Sequence, residues 1–526
     1  MFFSKLPAAF LIVLLLLPIS HCRGQQASPS KLKLPPVMSD HMVLQNGQAD
    51  AVWGSAVAGT SITVAFVDPQ NKTLASAQAV AGADGKWLAK LPALQTGATG
   101  EIHVKAGTEA PIVIHDVLVG EAWLCSGQSN MSYTFKAPNM NPDKFAQVQQ
   151  EATDARGAIR YYGGDGRTGS WQIGTPDTIG NCSAVAWYFG VALHDKLHCP
   201  IGLIIQAVGG TPVESWMPKT ALDNDPIGQA VEKRYDVVAA PFPDQAKAYR
   251  VADAAWLAAN PTPELQAQNK STRPKNPGHP PMVAWCYNCW FQWIVPYGVK
   301  GAIWFQADGN LPSAYMGQPN EYGHLIQLLI KSWRDLWQTQ LPFYYVEMNN
   351  MRDVVQTQPV QYNPLCILRE QQEAALELPA TDVACSIDTG DKEAATNPHF
   401  PNKKPVGDRL ALLALNNVYG LPCAAHSPAY SSFEAQGGKI RVHFKYADGL
   451  RIRDGGKVAG FAIRGTTGDW VWADGQIDGD DIVLSSDQVP QPVAVRYAWA
   501  ANPIISIENS AGLPLRPFRT DKSSPE

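Results

Sequence analysis

Apolar and polar positions follow a different rhythm at the two ends of the chain than in its middle. Between 29 and 115, runs such as Ser61-Ile62-Thr63-Val64-Ala65-Phe66-Val67 and Glu101-Ile102-His103-Val104-Lys105 alternate with a period of two, and turn signals such as Ala83-Asp84-Gly85-Lys86 separate them. Short alternating runs punctuated this way predict an N-terminal β-sandwich-like domain. The same rhythm returns between 426 and 526, in Lys439-Ile440-Arg441-Val442-His443-Phe444, Trp470-Val471-Trp472-Ala473 and Val493-Ala494-Val495-Arg496-Tyr497-Ala498-Trp499. A second β-sandwich-like domain is expected there.

From 116 to 425 strand-like apolar runs alternate with amphipathic helices, which predicts an α/β domain with a mainly parallel sheet covered on both faces. The candidate strands are 117–124, 201–207, 300–305, 343–348 and 383–387. Ser183 is placed to cap a helix running to about His198; Leu325, Leu328, Leu329, Trp333 and Leu336 form one apolar stripe; Pro405 opens a helix that Gly420 closes. The Ala-, Pro- and Asn-rich stretch 219–282 reads as an insertion in this domain.

Length and composition narrow the picture further. At 526 residues the chain is too long for one core. A net charge of −5 supplies no general attraction to nucleic acid. Residues 1–24 carry Lys5 and an apolar run from Leu6 to Pro18, the pattern of a cleaved export signal, and no later segment is apolar for long enough to span a bilayer. A secreted or periplasmic protein is expected, in which some of the eight later cysteines would be oxidised. Cys286-Tyr287-Asn288-Cys289 lacks the second ligand pair of a structural zinc site, so a disulfide ranks first for it.

In an open parallel sheet, sites form in the loops beyond the carboxyl ends of the strands. Those loops here contain Gly127-Gln128-Ser129-Asn130-Met131, Gly209-Gly210-Thr211, Gln306-Ala307-Asp308-Gly309-Asn310, and the stretch from Asp388 through His399. A serine that attacks a carbonyl needs a base for its proton and several donors aimed at the oxyanion. The N–H groups of Ser129, Gly209 and Gly210 and the side-chain amide of Gln306 or Asn310 are candidate donors. Gln128 and Asn130 flank the serine and offer amides to a substrate. Trp216 and Trp304, with Trp171 and Tyr133, offer aromatic faces to a sugar. Each loop alone has an ordinary structural reading, and only their common position in the sheet singles them out.

Taken together, the segments "MSDHMVLQ", "VLVGEAWLCSGQSNM", "IGLIIQAVGGTPVESW", "VKGAIWFQADGN", "LREQQ", "IDTGD", "HFPNKKPVGDRLAL" and "VAVRYAWAANP" resemble the sialate O-acetylesterases, a branch of the SGNH (GDSL-like) hydrolases. The resemblance implies an SGNH-hydrolase-like α/β/α core with accompanying β domains, Ser129 as nucleophile and His399 as base, and no metal or organic cofactor. Two departures bear on the third catalytic group. Gln306-Ala307-Asp308-Gly309-Asn310 stands where the family reads Gln-Gly-Glu-Ser-Asn, and Asn397 occupies the position of the acid two residues before the histidine. The acids rank Asp308, then Asp391 and Asp388. The implied substrate is an O-acetylated sugar, 9-O-acetylated sialic acid by resemblance or an acetylxylan-type polysaccharide. A non-catalytic carbohydrate-binding protein on a degenerate esterase fold is the competing expectation.

Overall fold

The structure, a computed structural model, describes residues 31–521 except 165, 276–281, 313–316, 352–354, 361–362 and 391–397. The expected export signal and Asp391 therefore lie outside the described residues. The central sheet contains β1 (Ile112–Gly127), β2 (Ile159–Gly163), β3 (Ser170–Ile173), β4 (Ile201–Ala207), β5 (Gly301–Phe305), β6 (Phe343–Glu347) and β7 (Thr381–Cys385). Their order across the sheet is β7-β6-β5-β1-β4-β2-β3, and every pair is parallel except β2 with β3.

Two helical layers cover this sheet. Strand side chains alternate between them, as a period of two requires. Ile303, Tyr344 and Val346 point to the layer of α2 (Ala184–Leu197) and α4 (Lys404–Asn417), while Trp304, Phe343 and Tyr345 point to the layer of α3 (Tyr322–Trp337). Ser183 caps α2 by accepting from the Ala186 N–H at 3.2 Å, and His198 ends it at a φ of 51°. Helix α3 buries Leu325, Ile326, Leu329, Ile330 and Trp333, spaced three and four apart on one face. The expected insertion folds as helices, including Lys219–Asp223, Pro226–Ala239 and Phe242–Ala259.

The expected boundary at 115/116 is not a break in the backbone. Strand β1 is 16 residues long. Its first half pairs antiparallel with Thr99–Ala106, and near Leu118–Gly120 it pairs parallel with Val43–Gln45. Its second half is the middle strand of the central sheet. The burial pattern changes along it, from mixed up to Leu118 to continuously buried from Val119 to Gly127. One extended segment thus serves a partly solvated sheet and then a sheet covered on both faces. At the other end, Ile440, Val442, Ile482 and Leu484 from one antiparallel sheet share a core with Phe461, Ile463, Val495 and Tyr497 from a second.

Buried polar groups fasten these parts. The Arg369 guanidinium donates to the carbonyls of Met348, Asn349, Ala500 and Ala501 at 2.6–2.8 Å, joining the central domain to the C-terminal β region. No disulfide joins the described cysteines, contrary to the expectation for Cys286 and Cys289. Cys286 is instead buried in the core and accepts a hydrogen bond from Ser215.

Asp50 lies at the seam between the N-terminal strands and the central domain, where a Cβ added to Gly298 would fall 1.9 Å from its Oδ1. That oxygen is buried without a hydrogen-bond partner among the described residues. Burial drives its carboxyl up to about 8, against weaker lowering by the Gln45 main chain and the Gln48 side chain. A folded-state value above the unfolded one means that stability is fully present at acid pH and is lost as pH rises through about 8. Asp50→Asn should therefore raise the melting temperature more at pH 8.5 than at pH 5; thermal unfolding of both proteins at the two pH values checks this.

Candidate active site

Strand β1 ends at Gly127, whose φ of 141° lies in a region that L side chains rarely adopt. A Cβ there would sit 2.2 Å from the Phe305 carbonyl oxygen, so the loop after β1 presses directly on the main chain of β5. The Gln128 N–H donates to that carbonyl at 3.0 Å, and the Val208 N–H donates to the Gly127 carbonyl at 3.1 Å. Three strand ends are drawn together by main-chain contacts. Helix α1 (Ser129–Ser132) starts from this point, with Asn130 and Met131 buried and Ser129 partly exposed.

Gly209 is packed against the serine, since a Cβ built on it would lie 3.4 Å from the Ser129 Cβ. The N–H groups of Ser129, Gly209 and Gly210 donate to no partner among the described residues. These are the main-chain donors expected from the sequence, and they remain available to an anion.

The side-chain amides have other tasks. Gln128 donates to the Asp308 carboxylate and accepts from the Gly309 N–H at 3.1 Å, tying the first loop to the third. Asn130 donates to the Pro398 carbonyl at 3.2 Å and accepts from the Lys403 ammonium group. Both are buried, so neither amide faces a substrate as the sequence suggested. Gln306 donates to the Thr211 carbonyl and to Asn310 Oδ1, at 3.1 and 2.9 Å. Asn310 donates to Glu214 at 2.7 Å and accepts from the Val213 N–H. The expected role of Gln306 or Asn310 as oxyanion donor is thus replaced by a role in shaping the loops.

Trp216 and Trp304 also require correction. Both are fully buried and meet edge-to-face at 6.0 Å, beside Trp333. Neither presents a face to a sugar. They support the loops from behind: the Trp216 indole N–H donates to Thr211 Oγ1 at 2.9 Å. Trp171 is likewise a core residue, donating to the Val37 carbonyl.

His399 is partly buried, and its loop is pinned on both sides. Pro398 accepts from Asn130, the His399 carbonyl accepts from Asn139 at 3.2 Å, and Phe400 is buried against Phe305. Asp308 is buried in the turn Asp308–Asn310. Asp388, the lowest-ranked acid, is engaged elsewhere: Arg409 holds both its oxygens at 2.6 and 2.9 Å, and Arg453 approaches at 3.1 Å. Burial opposes its charge, but the hydrogen bonds and charges of these arginines outweigh that and hold the carboxyl below its ordinary range. Its partner set makes it a fastening for the C-terminal region.

Sequence reasoning passed over Lys403 and Glu214. Glu214 lies in the quoted segment "VGGTPVESW", where its position two residues before Trp216 was a usable signal. It is buried, accepts from Tyr235 at 3.0 Å, and burial raises its carboxyl despite hydrogen bonds to its own main chain, Asn310 and Tyr235. Tyr235 comes from the insertion, which therefore braces the third loop. Lys403 is buried with its Nζ 3.4 Å from the centre of the Phe400 ring and 4.9 Å from that of Tyr133. No carboxylate pairs with it among the described residues, and burial pushes its amine well below the ordinary lysine range.

In sequence and fold the chain is similar to sialate O-acetylesterases and to a carbohydrate acetylesterase of known structure. No family model matches it. It is 30% identical over 244 residues to the sialate O-acetylesterase of Rattus norvegicus, a match covering 42% of each chain, and 30% identical over 229 residues to that of Homo sapiens, covering 39% of this chain and 42% of the other. The matched region thus spans less than half the length of these relatives. Among solved structures it is similar to a carbohydrate acetylesterase from Xanthomonas citri, with a TM-score of 0.74 and 28% identity over 93% of this chain and all of the other.

The buried lysine generates a prediction with a defined sign. A folded-state value below the unfolded one means that the folded chain holds this proton less tightly than the unfolded chain, so at pH values below the ordinary lysine range Lys403 costs stability. Lys403→Met should raise the melting temperature at pH 7, with the gain shrinking as pH approaches the ordinary lysine value of 10.5. An increment that stays constant from pH 7 to pH 10 would contradict this assignment.

Proposed function

We propose that the protein is an exported serine esterase that removes O-acetyl groups from sugars. The observation that carries this reading is the partly exposed Ser129 at the meeting of three strand ends, with Gly209 packed against it and unpartnered main-chain N–H groups beside it. Ser129 attacks the acetyl carbonyl while His399 accepts its proton. The N–H groups of Ser129, Gly209 and Gly210 receive the oxyanion. The imidazolium then protonates the sugar oxygen as its bond to the acetyl carbon breaks, releasing the sugar as an alcohol, and a water, activated by the same histidine, cleaves the acetyl-serine ester and releases acetate.

Asp308 is assigned to orient His399, with the Gln128 amide fixing one carboxylate oxygen. The chemistry uses only these side chains and the main chain. The acetylated saccharide is a sialic acid bearing an acetyl group, as the names of the relatives suggest, or an acetylated plant-type polysaccharide, the broader class to which a carbohydrate acetylesterase speaks. The amides that the sequence offered to the oxyanion are committed to the loops, so stabilisation falls on the main chain, where losing one donor costs about 2.7–4 kcal/mol.

On an aryl acetate, Ser129→Ala should lower kcat by roughly 10⁴-fold or more while leaving the melting temperature nearly unchanged. A folded Ser129→Ala protein with undiminished turnover would reject the nucleophile. Asp308→Asn should cost kcat far more than Asp388→Asn, and Asp388→Asn should instead lower the melting temperature, because it uncouples Arg409 and Arg453. Steady-state rates and thermal unfolding of the two variants separate these effects.

A further inference from the structure

A cleft of about 850 Å³ opens between the central domain and the C-terminal β region, on the side of the sheet away from Ser129. Thr381 and Asp382, at the amino end of β7, line it, whereas Ser129 follows the carboxyl end of the parallel β1. Its floor and walls come from both regions, with Gln371, Glu373 and Glu377 on one side and His426, Tyr430 and Tyr446 on the other.

Tyr446 is the unusual member. It is 54% exposed, and its φ of 57° places a bulky residue in the left-handed region. Such a conformation is unfavourable for a side chain of this size and persists only where the surroundings over-determine it, commonly at ligand clamps. The surroundings here do so. Its ring lies parallel on that of His426, with centroids 4.4 Å apart and planes at 18°. His426 is held by Asp382 at 2.7 Å, Asp382 accepts also from Asn417 at 3.0 Å, and Asn509 donates to the carbonyls of both His426 and Tyr446. One ring face is covered and rigid, and the other is left to the cleft.

We propose that this cleft is a second carbohydrate-binding site, in which an uncharged pyranose of a polysaccharide lies on the open face of Tyr446. A fixed aromatic face matches the apolar C–H face of a sugar ring, and the carboxylates and amides around it match the equatorial hydroxyls. The charges favour a neutral sugar over a sialic acid. Arg516 and Arg519 pair with Glu373 and Glu370, which leaves Glu377 and Asp382 against Lys445 in the lining, a small net negative charge that opposes an anionic sugar. The site would hold a polymer to the protein without touching the chemistry at Ser129.

Affinity electrophoresis of the full chain in native gels containing soluble xylan, or sialic-acid-rich mucin, tests the proposal. Xylan should retard the unmodified chain, and Tyr446→Ala and Tyr446→Gly should each weaken that retardation about tenfold, as the loss of one apolar face covered by a sugar ring implies. Tyr446→Gly guards against misfolding, because glycine adopts the positive φ freely. Aryl acetate hydrolysis should be unchanged in both variants. Absence of retardation by xylan, equal retardation of all three proteins, or retardation by mucin alone would overturn the proposal. A chain that binds xylan through Tyr446 but hydrolyses no aryl acetate would remove the esterase reading and leave the cleft standing.

Discussion

The contact between Gly127 and the main chain of Phe305 is the constraint on which the site depends. No side chain fits between the end of β1 and the end of β5, so the two loops must leave the sheet together. That approach lets the Gln128 N–H bond to the Phe305 carbonyl, and it sets the Gln128 side chain between Asp308 and Gly309. The first and third loops then form one unit. Ser129 emerges from it on the first turn of a short helix, beside Gly209 from the loop after β4.

Around this unit most polar side chains are buried and spend their hydrogen bonds on one another. Tyr235, Glu214, Asn310, Gln306 and Thr211 form one continuous chain of such bonds, and Lys403, Asn130 and Pro398 form another. A satisfied buried network fixes geometry because breaking any one bond strands a partner away from water, at a cost of about 1–3 kcal/mol. The pairs Asp388–Arg409 and Asp388–Arg453, and the carbonyls gathered by Arg369, extend the same principle to the docking of the C-terminal region.

Much of this was legible in the chain. The strand 201–207 and the Ser183 helix cap fall where the apolar rhythm and the capping residue put them, because local pattern and tertiary packing agree there. Strands β2 and β3 were not seen, since Ile159–Gly163 and Ser170–Ile173 are short and the connection between them is rich in glycine, with Gly164, Gly166 and Gly169. The continuity of β1 was also missed: periodicity marks where a sheet face changes character but says nothing about whether the backbone bends there. At the site, the serine, the glycines and Asp308 stood out by residue type and loop position. The assignments of Gln128, Asn130, Gln306 and Asn310 to substrate or oxyanion did not hold, because an amide serves a loop or a ligand equally well and only its partners distinguish the two. Trp216 and Trp304 illustrate the same limit, since sequence proximity to a loop does not say which face of the sheet a side chain takes.

The central claim is that the convergence of these loops makes Ser129 a nucleophile, and covalent labelling reads this most directly. The chain is treated with a fluorophosphonate, digested, and its peptides are mapped by mass spectrometry. The account predicts one adduct per chain, on Ser129, formed in step with the loss of aryl acetate hydrolysis. A chain that hydrolyses aryl acetate but is labelled on another residue, or remains unlabelled when its activity is lost, would contradict it.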